Sequence, residues 1–258
     1  MRYAIRTAML IASLSACLVT GATAQERIHE RTEDLRKIIL DGLQAGKKKI
    51  VVPPGRYRVK PVKRQHLVFE NLQDVTIEAI NVEMVCTETT RAITIDNCKN
   101  LKVIGLTIDY DPLPYTQGKI VKLSKNNTVH EIELFDGYLG ADKVIESKYE
   151  IFRPDTRTLR FGSYHQFSHR KLGPERIKVT RKGRYQGEKV GDIIAIATKH
   201  APGGTMPHAV YVSKSERVTL QDITVYASNC FGFLENNCTA THYLRCKIDR
   251  RSAATDFK

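Results

Sequence analysis

Four segments of this chain carry one apolar pattern, and that pattern permits few folds. Residues 75–82, 101–108, 218–225 and 241–248 each read apolar-x-apolar-x-x-apolar-x-apolar, with Thr241 the weak member. Two short period-2 strands joined by a corner that skips the alternation produce this reading. The first two segments start 26 residues apart and the last two 23 apart. An earlier strand in each repeat places Leu67 and Phe69, Ile93 and Ile95, and Val210 and Val212 at equivalent positions, with Asn71, Asn97, Lys214 and Asn237 at the following corner. Stacked corner asparagines would hydrogen-bond up such a stack. Strands and corners in 23–26 residues describe one coil of a parallel β-helix, which buries its inner face only when coils stack. An antiparallel sandwich is the competing fold, and the shared corners count against it. The alignment puts Ile80, Leu106, Ile223 and Cys246 at one inward position. It also puts Glu235 level with Phe69, Ile95 and Val212, where a carboxylate must be paired or protonated, or the last coil must slip register.

The flanks and the gap in the repeat complete an all-β expectation. Residues 30–46 space Leu35, Ile38, Ile39 and Leu43 helically and end at Gly46, which suits a capping helix over the first coil. Lys49 to Val59 reads strand, Pro-Gly turn, strand. Residues 110–198 lose the repeat and read as short alternating strands between turn signals such as Lys125-Asn126-Asn127 and Pro154-Asp155. The reading is a right-handed parallel β-helix with a small antiparallel β-barrel or sandwich inserted at one corner. Its parts are 25–109, the insert 110–198, and further coils over 199–258.

Ahead of these lies a basic, then apolar, stretch ending in Ala22-Thr23-Ala24, the order of a secretory signal. Residues 1–24 are therefore read as a signal peptide and the protein as secreted or periplasmic. Leu14-Ser15-Ala16-Cys17 supplies the alternative of a lipoprotein anchored through Cys17. Removing Arg2 and Arg6 takes the formal charge from +13 to +11. No later apolar run approaches the ~20 residues of a transmembrane helix. The charge is spread, without aromatic residues interleaved among the cations, which points to acidic glycans or a cell surface rather than nucleic acid. Five cysteines follow Cys17, none at zinc spacing, so neither a metal nor a cofactor is expected.

Residues 51–57, Val-Val-Pro-Pro-Gly-Arg-Tyr, resemble the opening strand of pectate-lyase-like right-handed β-helix proteins. Leu106 to Gly118 is similar to the coil-to-insert junction of β-helix glycosidases of the bacterial α-1,3-galactosidase type, as are Val190-Gly191-Asp192 and His208-Ala209-Val210 to their re-entry strands. The resemblance spans most of residues 49–248 and implies a carbohydrate-active hydrolase. In that family further coils carry the catalytic carboxylates. The tail after Ile248 shows no such coil, so the expectation is an incomplete or inactive N-terminal portion with an open edge prone to self-association.

Candidate site residues follow from chemistry. Asp109 and Asp111 are two apart, and on one strand would share a face with Cα atoms ~6.5–7 Å apart, a spacing that suits an acid–base pair. Glu235 is the third candidate acid. Tyr110 and Tyr115 are candidates for stacking on sugar rings, and His200 and His208 flank a loop at the return to the helix. A glycoside hydrolase acting on a polysaccharide or oligosaccharide is the first reading. A non-catalytic glycan-binding module and a polysaccharide lyase are the alternatives.

Overall fold

The computed structural model describes residues 29–164, 167–182, 187–198, 208–228 and 230–249. The signal segment, Cys17 and His200 lie outside the described residues.

In chain order the elements open with β1 (Glu30–Arg31), α1 (Leu35–Gln44), β2 (Lys49–Val51), β3 (Gly55–Val59) and β4 (Gln65–Glu70). Three strands follow: β5 (Thr76–Cys86), β6 (Arg91–Asp96) and β7 (Lys102–Tyr110). The next seven strands are β8 (Tyr115–Leu123), β9 (Val129–Leu134), β10 (Val144–Phe152), β11 (Leu159–Tyr164), β12 (Phe167–Gly173), β13 (Arg176–Arg181) and β14 (Ile193–Thr198). The chain closes with β15 (Val210–Ser213), β16 (Thr219–Gln221), β17 (Thr224–Val225), β18 (Phe233–Asn236), β19 (His242–Leu244) and β20 (Lys247–Ile248).

The repeat folds as a parallel β-solenoid. One parallel sheet stacks β1-β3-β5-β7-β16-β19, with β2, β17 and β20 extending its rows, and a second stacks β4-β6-β15-β18. Leu67, Ile93 and Val210 form one inward ladder, and Phe69, Ile95 and Val212 the next. All six are buried in one continuous core. A full aliphatic side chain removed from water contributes about 1.5–3 kcal/mol, which is why stacking rather than any single coil stabilises the fold.

The corners repeat as faithfully as the strands. Asn71, Asn97, Lys214 and Asn237 all take positive φ, and so do Asp74, Asn100, Arg217 and Ala240 three residues later. Asn and Asp tolerate that region best among residues with a side chain, because their short polar groups bond locally. Asn97 Nδ2 donates to Asn71 Oδ1 at 2.6 Å, and Asn100 Nδ2 donates to Asp74 Oδ1 at 2.6 Å. The second ladder was not anticipated, although Asp74 and Asn100 sit 26 residues apart like the first pair. Cys98 and Cys238 are separated by the β15 row, and the five cysteines of the described residues are free thiols.

One inward assignment changes. Val82, not Ile80, pairs with Leu106, and Ile80 is 51% exposed. Val52, Pro53 and Pro54 face Ala79, Ile80 and Asn81 across the first two rows, since Val51 pairs with Glu78 and Gly55 with Val82. In the next row that three-residue corner shrinks to Gly105 alone. Equal segment lengths therefore conceal unequal corners. Gly105 has φ +81°, and a Cβ there would lie 2.9 Å from Ile80 Cα.

Before the first coil, Asp34 caps α1 by accepting from the Arg36 amide at 2.9 Å. Leu35 and Ile39 enter the solenoid core, with Ile38 and Leu43 against its edge. The Arg36 guanidinium donates to the carbonyls of His66 and Lys60, tying the helix to the chain around β4.

Between β7 and β15 the chain forms a seven-stranded antiparallel sheet in the order β11-β10-β14-β8-β9-β13-β12. Tyr149 on β10 meets Phe167 on β12 edge-on, ring centroids 4.9 Å apart, although four strands lie between them, so the sheet curls around its own core. Its entering and leaving strands are neighbours, with Tyr115 paired to Ala197. The Thr198 amide donates to the Pro114 carbonyl at 3.1 Å and closes the neck. The solenoid then resumes in register, as if the excursion had been a corner.

Two predictions test this architecture. Gly105→Ala should destabilise the protein by about 1–3 kcal/mol in chemical denaturation, through overpacking and an unfavourable φ. Fully buried His130 has its pKa pushed down to about 4, mainly by burial. The unfolded chain then binds the extra proton between pH 4 and 6.5, so the His130 contribution is complete above 6.5 and lost as pH falls towards 4. His66, also buried, shifts in the same direction. Melting temperature followed from pH 7 to 4 should therefore fall less steeply in His130→Phe than in the native chain.

Candidate functional site on the outer face of the solenoid

Residues of β7 alternate. Leu106, Ile108 and Tyr110 enter the core, so Thr107 and Asp109 face outward. Pairing runs an outward column from Arg58 through Val85 to Asp109. Tyr226 and Asp249 continue it, because their amides donate to the carbonyls of Ile108 and Val225 in the preceding rows. Rows stack at ~4.8 Å, which puts the Cα atoms of Asp109 and Asp249 about 10 Å apart with Tyr226 between them.

Asp109 is the unusual member. It is only 7% exposed, although it lies on an outer face. Burial pushes its pKa up to about 6; the charge of Asp111 adds to the shift, while the Tyr110 amide and the Arg56 guanidinium oppose it. The Tyr110 amide donates to Asp109 Oδ1 at 2.8 Å. Arg56 bridges buried Glu83 at 3.1 Å and exposed Glu30 at 3.2 Å. A carboxyl with its pKa near 6 keeps a much larger protonated fraction at mildly acidic to neutral pH than a solvated aspartate, as a general acid requires.

Beside this column lies an open pocket of about 500 Å³, lined by Tyr115, Tyr226, Phe231, Phe233, Ile248 and Asp249 among others. Burial raises the pKa of Tyr115, with Tyr138 and Asp109 adding to it. His208 stacks on Phe231, centroids 5.2 Å apart, and its Nδ1 accepts from the Phe231 amide at 3.3 Å. Burial, with Arg91 nearby, holds the His208 pKa below the usual imidazole value.

The expected residues therefore separate. Tyr115 lines the pocket, Asp109 adjoins it as the column neighbour of Tyr226, and His208 adjoins it by stacking on Phe231. Asp111 follows the end of β7, continues its ladder through an amide bond to the Cys86 carbonyl, and is exposed, with Arg58 at 2.8 Å; its charge also acts on Asp109. Tyr110 is no sugar platform, because the strand alternation turns it inward, where its Oη donates to the Thr90 carbonyl at 2.8 Å. Glu235 keeps register with Val212 instead of slipping. It is exposed because no described row covers it, and Tyr243 Oη donates to it at 3.4 Å. Tyr226 and Asp249 were missed, though each is the residue just after the last apolar position of its repeat, as Asp109 is. Among the described residues no three His, Cys, Asp or Glu side chains cluster as a metal site, and no helix is long and apolar enough to cross a membrane.

No protein-family model matches the chain, and no curated protein matches it at a significant level.

Carboxyl-resolved NMR titration should place the Asp109 midpoint near pH 6. Because the folded pKa is raised, the Asp109 contribution to stability is complete below pH ~3.8 and lost as pH rises through 6. Asp109→Asn should remove that slope. A midpoint below pH 4.5 would contradict the burial.

Proposed function

We propose that this is a carbohydrate-active β-helix protein of the glycoside-hydrolase type, with its glycan site in the pocket beside Asp109. The observation carrying the reading is the column Asp109–Tyr226–Asp249: a buried carboxyl, an aromatic residue and an exposed carboxyl on one outer face beside an aromatic-lined pocket. Aromatic faces suit the apolar faces of sugar rings. Hydrolysis requires an acid for the leaving oxygen and a base for water, and carboxyl groups ~6.5–9.5 Å apart leave room for that water. Asp109 is the acid in this reading and Asp249 the base. The resemblance of the coil-to-insert junction to α-1,3-galactosidase-type enzymes supports the same class.

The wider expectations belong to this proposal. α1 is the solenoid's cap, the curled insert is a barrel-like domain flanking the groove, and the coils wind right-handed. Residues 1–24 direct export, and the partner is a polysaccharide or oligosaccharide. A glycan-binding module without turnover is the second reading, favoured by the exposure of Asp249, whose carboxylate is not enclosed as a hydrolytic base often is.

Galacto-oligosaccharide binding and aryl α-galactoside hydrolysis decide between them. Binding should weaken at least tenfold in Phe231→Ala and Tyr226→Ala. Hydrolysis should fall at least 100-fold in Asp109→Asn, with binding retained. Binding without turnover in the native chain selects the non-catalytic module. Absence of both defeats the proposal.

A further inference from the structure

The insert carries a second feature, made of residues outside the pocket lining. Along β9, His130, Ile132 and Leu134 face the insert core, so Glu131 and Glu133 face outward. On β13, Ile177 and Val179 face inward, and Arg176 and Lys178 outward. Pairing then assembles one outward row, Arg170–Lys178–Glu131–Lys122, and beside it Arg176–Glu133–Lys119. This face has five cations and two carboxylates. Lys122 and Arg176 share Glu131, at 3.3 and 3.1 Å. Arg170, Lys178 and Lys119 make no ion pair among the described residues, and Arg170 lies directly opposite Lys178.

Like charges directly opposite on a ladder destabilise a sheet. Edge protection accounts for Arg170, because β12 is the edge strand of the described ladder. It does not account for Lys178 and Arg176 on β13 or for Lys119 and Lys122 on β8, which are interior strands. Cations on neighbouring strands stand ~5 Å apart and those two along a strand ~7 Å apart, so a flexible chain with regularly repeated anionic groups meets several at once. None of these ladder positions holds an aromatic side chain on which bases would stack, which disfavours single-stranded nucleic acid.

We propose that the outward face of β12–β13–β9–β8 is a docking surface for an anionic polysaccharide, distinct from the Asp109 pocket. The surface retains the protein on carboxylated or sulfated chains, and Arg170 and Lys178 form its centre. Binding is electrostatic and therefore weakens with salt.

The test uses the full chain, with heparin and polygalacturonate as separate probes. At ~0.15 M ionic strength, Arg170→Glu with Lys178→Glu should weaken binding to at least one probe tenfold or more. Lys60→Glu with Lys63→Glu, an equal charge change on the solenoid, should weaken it less than threefold. Equal losses in the two double variants would reduce the effect to net charge and overturn the surface. Tighter binding to DNA of matched charge would assign it to nucleic acid instead, and no retention of the native chain would also overturn it. If circular dichroism shows the reversal variant unfolded, Arg170→Gln with Lys178→Gln replaces it, with a loss of several-fold expected. Pocket ligands should bind all these variants unchanged, so failure here is distinguishable from failure of the hydrolase reading.

Discussion

An inward side chain in this solenoid is covered only by the rows above and below it. A single coil is one strand thick in each sheet and cannot enclose Phe69, Ile95 or Val212 by itself. Every other feature of the solenoid answers to that stacking. The corners must repeat their backbone so that the next row arrives in register, which is why the same positions take positive φ in coil after coil. Polar corner side chains then bond along the stack instead of outward. Where stacking stops within the described residues, inward positions lose their cover. Ile248 is 69% exposed although it aligns with buried Val225.

The same requirement explains how a large insert is tolerated. Its first and last strands are paired neighbours, so the chain returns to the point of departure and β15 stacks on β6 without a shift. The insert has its own core of Ile120, Ile132, Ile151, Ile194 and Ile196 and adds none of these to the solenoid core. Its first strand supplies Tyr115 to the lining of the candidate site. It begins just beyond Asp109, which is buried despite its place on an outer sheet face, and the carboxyl responds by holding its proton to a higher pH. Local burial, more than any neighbouring charge, separates Asp109 from solvent-exposed Asp111 two residues away.

Much of the fold was legible because stacking imposes a period on the chain. Apolar positions two apart, corner asparagines 26 residues apart at Asn71 and Asn97, and the loss of the repeat over residues 110–198 are all visible in one dimension. The unequal corner was not. Ala79-Ile80-Asn81 and Gly105 occupy the same place with different lengths, and apolar Ile80 completes the expected pattern while pointing to solvent. At the site, Asp111 is exposed and held by Arg58 while Asp109 is buried, and strand alternation turned Tyr110 inward. Asp249 was passed over because 140 residues separate it from Asp109, yet both stand in one column.

The sequence by itself determined that this chain stacks coils, most of the side chains that line their interior and where the repeat is interrupted, because alternation and corner conformation are written residue by residue. Only the tertiary structure decided which outward side chains become neighbours and which carboxyl is withdrawn from water. Those outcomes depend on row register and on what packs over each face. Both arise from contacts between segments far apart in the chain, and local pattern carries no record of them.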